Sequence, residues 1–178
     1  RNTTWTFSRD VDLKFEFVGV NYYDGQGFMA PADLGVSSAA DLDGATVCIQ
    51  TGTTTELNLA DFFRSNNMSY EPVPIETNAE AQQQYLAGAC DVFTTDASGL
   101  AATRATFENP DDHVLMPEII SKEPLGPLVR HGDNNWGDVV RWTLNALITA
   151  EELGVTSANI GEMSNGTNNP EINRLLGT

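Results

Sequence analysis

The chain has 178 residues, 40% of them hydrophobic, enough for one ordinary domain with a real core or for two small lobes, and too apolar for a disordered polymer. Nine basic residues stand against 25 acidic ones, a net charge of −16 spread along the sequence rather than gathered in a tail. That balance speaks against a nucleic-acid partner, whose phosphates it would repel, and no apolar run approaches the roughly 18–20 residues that cross a bilayer.

The opening Arg1-Asn2-Thr3-Thr4-Trp5 lacks an initiating methionine and the pattern of a signal peptide, so it is read as interior sequence of a processed or shortened polypeptide. Residues 1–10 read as strand then loop, 15–20 as strand, 21–25 as a turn, and 26–30 as a short extended run. A polar connection follows over 31–44, with one helical turn at 37–42. From residue 45 strands and helices alternate. Strand 45–50 leads through Gly52 into a helix at 55–66, with Leu57, Leu59, Ala60, Phe62 and Phe63 on about one face. Residues 70–75 are extended, and Pro72 and Pro74 place them at a sheet edge. Asn78 is expected to cap a helix that ends at Gly88. Strand 90–94, helix 96–108 and strand 113–116 complete the block. Residues 121–127 read as a proline-rich connection and 128–130 as extended. The longest helix, 136–153, is expected to be capped by Asn134 or Asn135. Its periodicity predicts a buried stripe of Val139, Val140, Leu144, Leu147 and Ile148, with Trp136 and Trp142 in core or interlobe packing. A last helix is expected at 170–176.

Strands alternating with helices over 45–116 predict a mostly parallel sheet with helices on both faces. Ligands of such sheets bind beyond the carboxyl ends of the strands. Two features fall on that rim. The first is the turn Gly52-Thr53-Thr54-Thr55 at a helix start, where N–H groups and hydroxyls suit an anion, although helix capping explains threonines there as well. The second is Asp96, suited to an ammonium group, although it too has the place of a helix cap. Together they match the two ends of a zwitterion.

Other chemistry finds little support. The P-loop ending is missing, no Gly-x-Ser-x-Gly occurs, and neither His113 nor His131 has a nucleophilic partner or metal-ligand spacing. Both histidines are expected to be structural or superficial. Cys48 and Cys90 each fall in a predicted strand. If those strands are neighbours, a disulfide closes a loop of about 40 residues and adds roughly 3–4 kcal/mol; two buried thiols are the alternative.

Several stretches carry a family resemblance: Asn2-x-Thr4 with Ser8-Arg9, the run Asn21-Tyr22-Tyr23-Asp24-Gly25-Gln26-Gly27-Phe28, the run Leu42-Asp43-Gly44-Ala45-Thr46-Val47-Cys48 with Thr51-Gly52-Thr53-Thr54, and Cys90-Asp91-Val92-Phe93-Thr94-Thr95-Asp96. Over nearly its whole length the chain resembles the periplasmic amino-acid-binding proteins of ABC importers, in their general L-amino-acid-binding subgroup. The resemblance implies a periplasmic-binding-protein-like α/β fold with one complete lobe and a remnant of the other. Residues 1–30 would be the remnant of lobe 1 with the first crossover near 26–30, residues 31–124 lobe 2, and residues 125–178 the second crossover and the return to lobe 1. It implies a ligand carboxylate held by Arg9, Thr54, Thr55 and Gly52, with Asn2 and Thr4 assisting, and an α-ammonium held by Asp96. A planar guanidinium pairs bidentately with a carboxylate.

The same resemblance implies free L-amino acids as ligands, a membrane permease as partner, a periplasmic location, no cofactor, no metal and no enzymatic role. It also favours the Cys48–Cys90 disulfide, because the periplasm is oxidising. The family carries about a hundred further residues before this point. The incomplete lobe is therefore expected to leave Phe15, Phe17 and the stripe of helix 136–153 uncovered, to bind ligand weakly, and to form a homodimer. The alternatives are a dehydratase-like enzyme on the same scaffold, using Asp96 and Glu56, and a ligand-sensing domain of a larger protein.

Overall fold

The computed structural model describes residues 3–178. In chain order the strands and helices are β1 (Thr3–Thr4), β2 (Phe15–Phe17), β3 (Tyr22–Asp24), β4 (Gln26–Pro31), β5 (Thr46–Gln50), α1 (Thr54–Ser65), β6 (Glu71–Ile75), α2 (Asn78–Leu86), β7 (Val92–Asp96), α3 (Ala97–Arg104), β8 (His113–Leu115), β9 (Glu123–Gly126), β10 (Leu128–Arg130), α4 (Asn134–Glu152), α5 (Ile160–Met163) and α6 (Pro170–Leu176). They divide into two compact units. The first holds the described residues up to Tyr22 together with Leu125–Thr178, and the second holds Tyr23–Pro124. The chain passes from one to the other within β3 and within β9.

The second unit is an α/β layer around a five-stranded sheet of order β6-β5-β7-β4-β8. β5 runs parallel to β6 and β7, while β4 runs antiparallel to β7 and β8. Four of the five strands therefore share one direction, and β4 alone runs against them. The parallel portion is the alternating block that the sequence pattern predicts. β4, the run 26–30 placed at a crossover by the resemblance, lies between β7 and β8 in this sheet.

Alternation along the strands sends side chains to two separate cores. Phe28, Val47, Ile49 and Val92 pack with Leu59 and Phe63 of α1 on one face. Met29, Cys48 and Phe93 pack with Tyr85 of α2 and Leu100 of α3 on the other. Complete burial of Phe28, Leu59 and Phe63 contributes roughly 1.5–3 kcal/mol each. Leu57, expected on the same helical face, is exposed. β6 takes the sheet edge, where Pro72 and Pro74 are tolerated.

Cys48 and Cys90 form a disulfide inside the second core, with Cα atoms 5.6 Å apart. His113 begins β8 and meets the Tyr85 hydroxyl through Nδ1 at 2.8 Å. Burial lowers the His113 pKa and raises that of the Tyr85 phenol, as expected for a neutral pair inside the fold.

The first unit is smaller in its sheets and longer in its helices. β1 pairs antiparallel with β9 (Thr3↔Gly126, Thr4↔Leu125), and β2 pairs antiparallel with β10. Phe17 is buried and stacks on Trp5 at 5.2 Å, contrary to the expectation that it would lie uncovered. The stripe of α4 lies largely uncovered, as expected for an incomplete lobe, although periodicity alone predicts its burial. Val139, Leu147 and Ile148, predicted to be buried, are exposed, as are Trp136 and Trp142. Only Gly137 of this 19-residue helix is buried. The periodicity is that of an amphipathic helix, and among the described residues α6 borders the apolar face at Leu175 and Leu176 without burying it.

Smaller departures have local causes. Residues 8–12 form a single wide turn, Ser8–Asp12, rather than a loop. The expected turn at 21–25 contains β3. Thr77 rather than Asn78 caps α2, its hydroxyl accepting from Glu80 N at 3.2 Å, and Asp133 rather than Asn134 or Asn135 caps α4 through Trp136 N at 3.0 Å. The proline-rich 121–127 contains β9; among the described residues β1 pairs with Leu125 and Gly126, which leaves Pro124 outside that pairing. The helix expected at 96–108 spans Ala97–Arg104: Asp96 closes β7, and Ala105 is the C-cap.

The acidic surface makes one pH prediction. Glu118 accepts from Ser38 Oγ at 2.6 Å and from Ala39 N at 3.1 Å. These bonds hold its carboxyl below the usual range, with the Ser38 hydroxyl the larger influence. A depressed folded-state pKa gives stability that is present above the unfolded value and lost as pH falls through the folded value. Urea midpoints should therefore drop on acidification below about pH 4.5, and Glu118→Gln should flatten that drop in part. Asp43, bonded to Ser69, carries the same sign and retains the remainder. An unchanged acid slope in the variant would refute the assignment.

Candidate ligand-binding site

The turn after β5 divides its labour between building a helix and presenting donors. Gly52 sits at φ +69, a left-handed conformation that favours glycine. Its N–H donates to the Glu56 carboxylate at 2.8 Å. Thr53 is the N-cap: its hydroxyl accepts from Glu56 N at 3.3 Å and donates to the Gln50 carbonyl at 2.7 Å. Capping therefore falls to Gly52, Thr53 and Glu56. Thr54 and Thr55 follow as the first helical residues, where N–H groups lack intrahelical acceptors and the helix dipole is positive.

Asp96 stands at the end of β7, the parallel neighbour of β5, so both features leave the sheet on one rim. It occupies the N-cap position of α3, yet its side chain makes no capping bond. The start of α3 is served by Asp24 instead, which accepts from the backbone N and the hydroxyl of Ser98. The capping explanation for this aspartate thus does not hold, and its strand partner is Gln26 of β4.

Three polar residues here escaped the sequence reading. Glu123, 3% exposed, accepts from Ser121 Oγ at 2.6 Å, from Asn58 Nδ2 at 2.7 Å and from Thr54 Oγ1 at 3.4 Å. Asn58 is one turn beyond Thr54 on α1, the i, i+4 spacing that places both on one helix face. Gln26, fully buried, donates through Nε2 to the Thr55 carbonyl at 3.1 Å and to Thr94 Oγ1 at 3.0 Å. A glutamine at the head of the otherwise apolar run Gln26–Pro31 was the available signal for this network.

In the first unit Arg9 lies on the turn Ser8–Asp12, partly buried. Its Nη1 donates to the carbonyl of Thr4 at 2.9 Å, and its backbone N–H donates to Thr6 Oγ1 at 3.3 Å. Thr4 is buried in β1. The guanidinium has five donors, so one bond to Thr4 leaves capacity for a planar anion. Asn2 lies outside the described residues. Among the described residues no cluster of His, Cys, Asp or Glu has the arrangement of a metal site, and no helix is long and apolar enough to cross a membrane.

This architecture is the periplasmic-binding-protein fold. A structure of an ABC-transporter periplasmic binding protein from Brucella ovis with glutathione bound superposes with a TM-score of 0.93 at 57% identity, over 99% of this chain and 56% of that one. A putative ABC-transporter binding component from Wolinella succinogenes, complexed with lysine, matches at TM-score 0.69 and 24% identity over 86% of this chain and 64% of its own, a likeness of fold alone.

The curated homologues are amino-acid-binding periplasmic proteins of ABC transporters. The chain is 68% identical over 177 residues to the glutamate/glutamine/aspartate/asparagine-binding protein BztA of Rhodobacter capsulatus, and 58% identical over 178 residues to the general L-amino acid-binding periplasmic protein AapJ of Rhizobium johnstonii. These matches cover 99% and 100% of this chain but 52% of each relative, so the chain spans about half the length of the curated relatives it matches. These relatives are binding proteins, not enzymes. No family model matches the chain.

Proposed function

We propose that the chain belongs to the extracytoplasmic solute-binding component of an ABC importer and recognises free L-amino acids by their α-carboxylate and α-ammonium groups. One observation carries this reading: the first turn of α1 and Asp96 leave the same sheet rim, offering an anion seat and a cation seat in one unit. High identity to amino-acid-binding relatives supports it. In this assignment the carboxylate is taken by Thr54 and Thr55, with Gly52 shaping their turn. Arg9 supplies the guanidinium, and Asn2 and Thr4 are assigned assisting roles. Asp96 takes the ammonium. The working partner is a membrane permease, the location periplasmic, and the ligand-binding lobe is the expected 31–124 together with β4, which lies within its sheet.

The exposed face of α4 governs the form in which this polypeptide binds. Its apolar residues adjoin Val155, Ile160 and Leu175 around a groove of about 460 Å³. Surface of that kind promotes association, and the chain on its own is read as a homodimer that binds ligand more weakly than its longer relatives. Sedimentation paired with calorimetry tests both statements, using L-glutamate, L-glutamine, L-aspartate, L-asparagine and glutathione, whose γ-glutamyl end is the same zwitterion. Heat is expected from at least one ligand, together with a dimer mass that Trp142→Glu abolishes. Silence across the panel refutes the binding reading. A monomer that binds below about 1 μM, the level of an ordinary specific complex, refutes the dimer.

A further inference from the structure

Resting on the amino-acid-binding reading, we propose that Gln26 is a positioning residue that fixes the distance between the carboxylate seat at α1 and the ammonium seat at Asp96. Gln26 shares its sheet face with Phe28 and Ala30, both part of the α1 core, and is itself fully buried. An apolar side chain would suit that place better. Its amide is nevertheless held by two acceptors. The Thr55 carbonyl can only accept, and Thr94 Oγ1 gives its own proton to the Gly27 carbonyl at 2.7 Å. Both amide hydrogens are thereby assigned, and the orientation of the amide follows from its partners. Among the described residues no donor reaches Gln26 Oε1. A buried acceptor without a donor is a cost to the fold, so the fold alone does not account for glutamine here.

The contacts of Gln26 explain what it does. Thr55, whose carbonyl it binds, is one of the proposed carboxylate ligands. Gln26 is also the direct antiparallel partner of Asp96, and paired residues project from the same face of a sheet. Its backbone N–H donates to Ser121 Oγ at 3.1 Å, and that hydroxyl donates to Glu123, which receives Thr54. One residue therefore reaches the first turn of α1 by its amide and by a backbone relay, and reaches Asp96 by strand pairing. An amino acid carries its two charged groups at a constant separation, so a helix that slides along the sheet loses one seat while keeping the other.

Gln26→Met separates this role from ordinary packing, because methionine retains the length and the apolar stem but has neither the donors nor the unserved acceptor. The melting temperature of the ligand-free protein should stay within a few degrees or rise. Affinity for the best ligand of the panel should fall about tenfold, the worth of one ordinary hydrogen bond. Amide exchange in the first turn of α1 should quicken by a similar factor. Thr94→Val, which removes one of the two acceptors, should show a smaller drop of the same kind.

Parallel loss of melting temperature and affinity would make Gln26 a plain structural residue and overturn the proposal. So would unchanged affinity with unchanged exchange. If the unmodified chain binds no ligand, the amino-acid reading fails by itself, and the exchange measurement alone then decides whether Gln26 positions α1.

Discussion

Asp96→Asn should weaken L-amino-acid binding about 100-fold, within the range expected when one partner of a desolvated charge pair is neutralised. The substitution preserves shape and leaves one acceptor oxygen, so what it removes is charge. The melting temperature of the variant, read alongside, separates loss of charge from loss of fold, and Asp24 continues to serve the N-terminus of α3 through Ser98. Calorimetry on the variant with L-glutamate or L-glutamine reads the loss. The matching α-keto acid, which has the carboxylate without the ammonium, supplies the control. Its affinity should be low in both proteins and should not fall further in the variant. An equal loss for both ligands would show that Asp96 acts on the carboxylate side or on the fold, and the assignment of the ammonium would be wrong.

The two seats differ in how directly the sequence displays them. Gly52-Thr53-Thr54-Thr55 follows a β-branched run and precedes a helical pattern, so its placement at a strand end is legible from local signals. The division of roles within it is not. Which threonine caps the helix depends on where the first turn begins, and that is set by Glu56 reaching back to Gly52 N. Asp96 was legible as a strand-end acid, but its capping alternative was removed only by a residue 72 positions earlier, Asp24. Pairings of that range carry no local signature.

The alternation of strands and helices over 45–116 was legible because each element is punctuated by its own cap or breaker. The insertion of β4 between β7 and β8 was not, since a strand from outside an alternating block can join a sheet wherever an edge is open. The same limit explains the network of Gln26, Glu123 and Asn58. Each residue alone is an unremarked polar position, and only the sheet order brings the three to the first turn of α1. The stripe of α4 shows the reverse. Periodicity identifies the apolar face correctly, but burial requires a partner element, and periodicity does not say whether one is there.

Replacing Cys48 and Cys90 together by alanine should lower stability by about 4 kcal/mol, the chain-entropy value for a bridge across 42 positions. For a unit of this size that corresponds to a fall in melting temperature on the order of 20 °C. The bridge ties β5 to the segment entering β7, the two strands whose far ends present Thr54 and Asp96. Its sulfurs lie inside the core with Ile75, Tyr85 and Phe93, so the alanines also leave a small cavity. Denaturation in urea with and without a reductant measures the entropic part in the unaltered sequence, where no atoms are deleted. Ligand affinity below the new melting temperature should change by less than about threefold, because the parallel pairing of β5 with β7 survives without the bridge. A urea midpoint unmoved by complete reduction would mean that the reduced chain is already constrained by the packing of β5 against β7. The large expected effect would then be withdrawn.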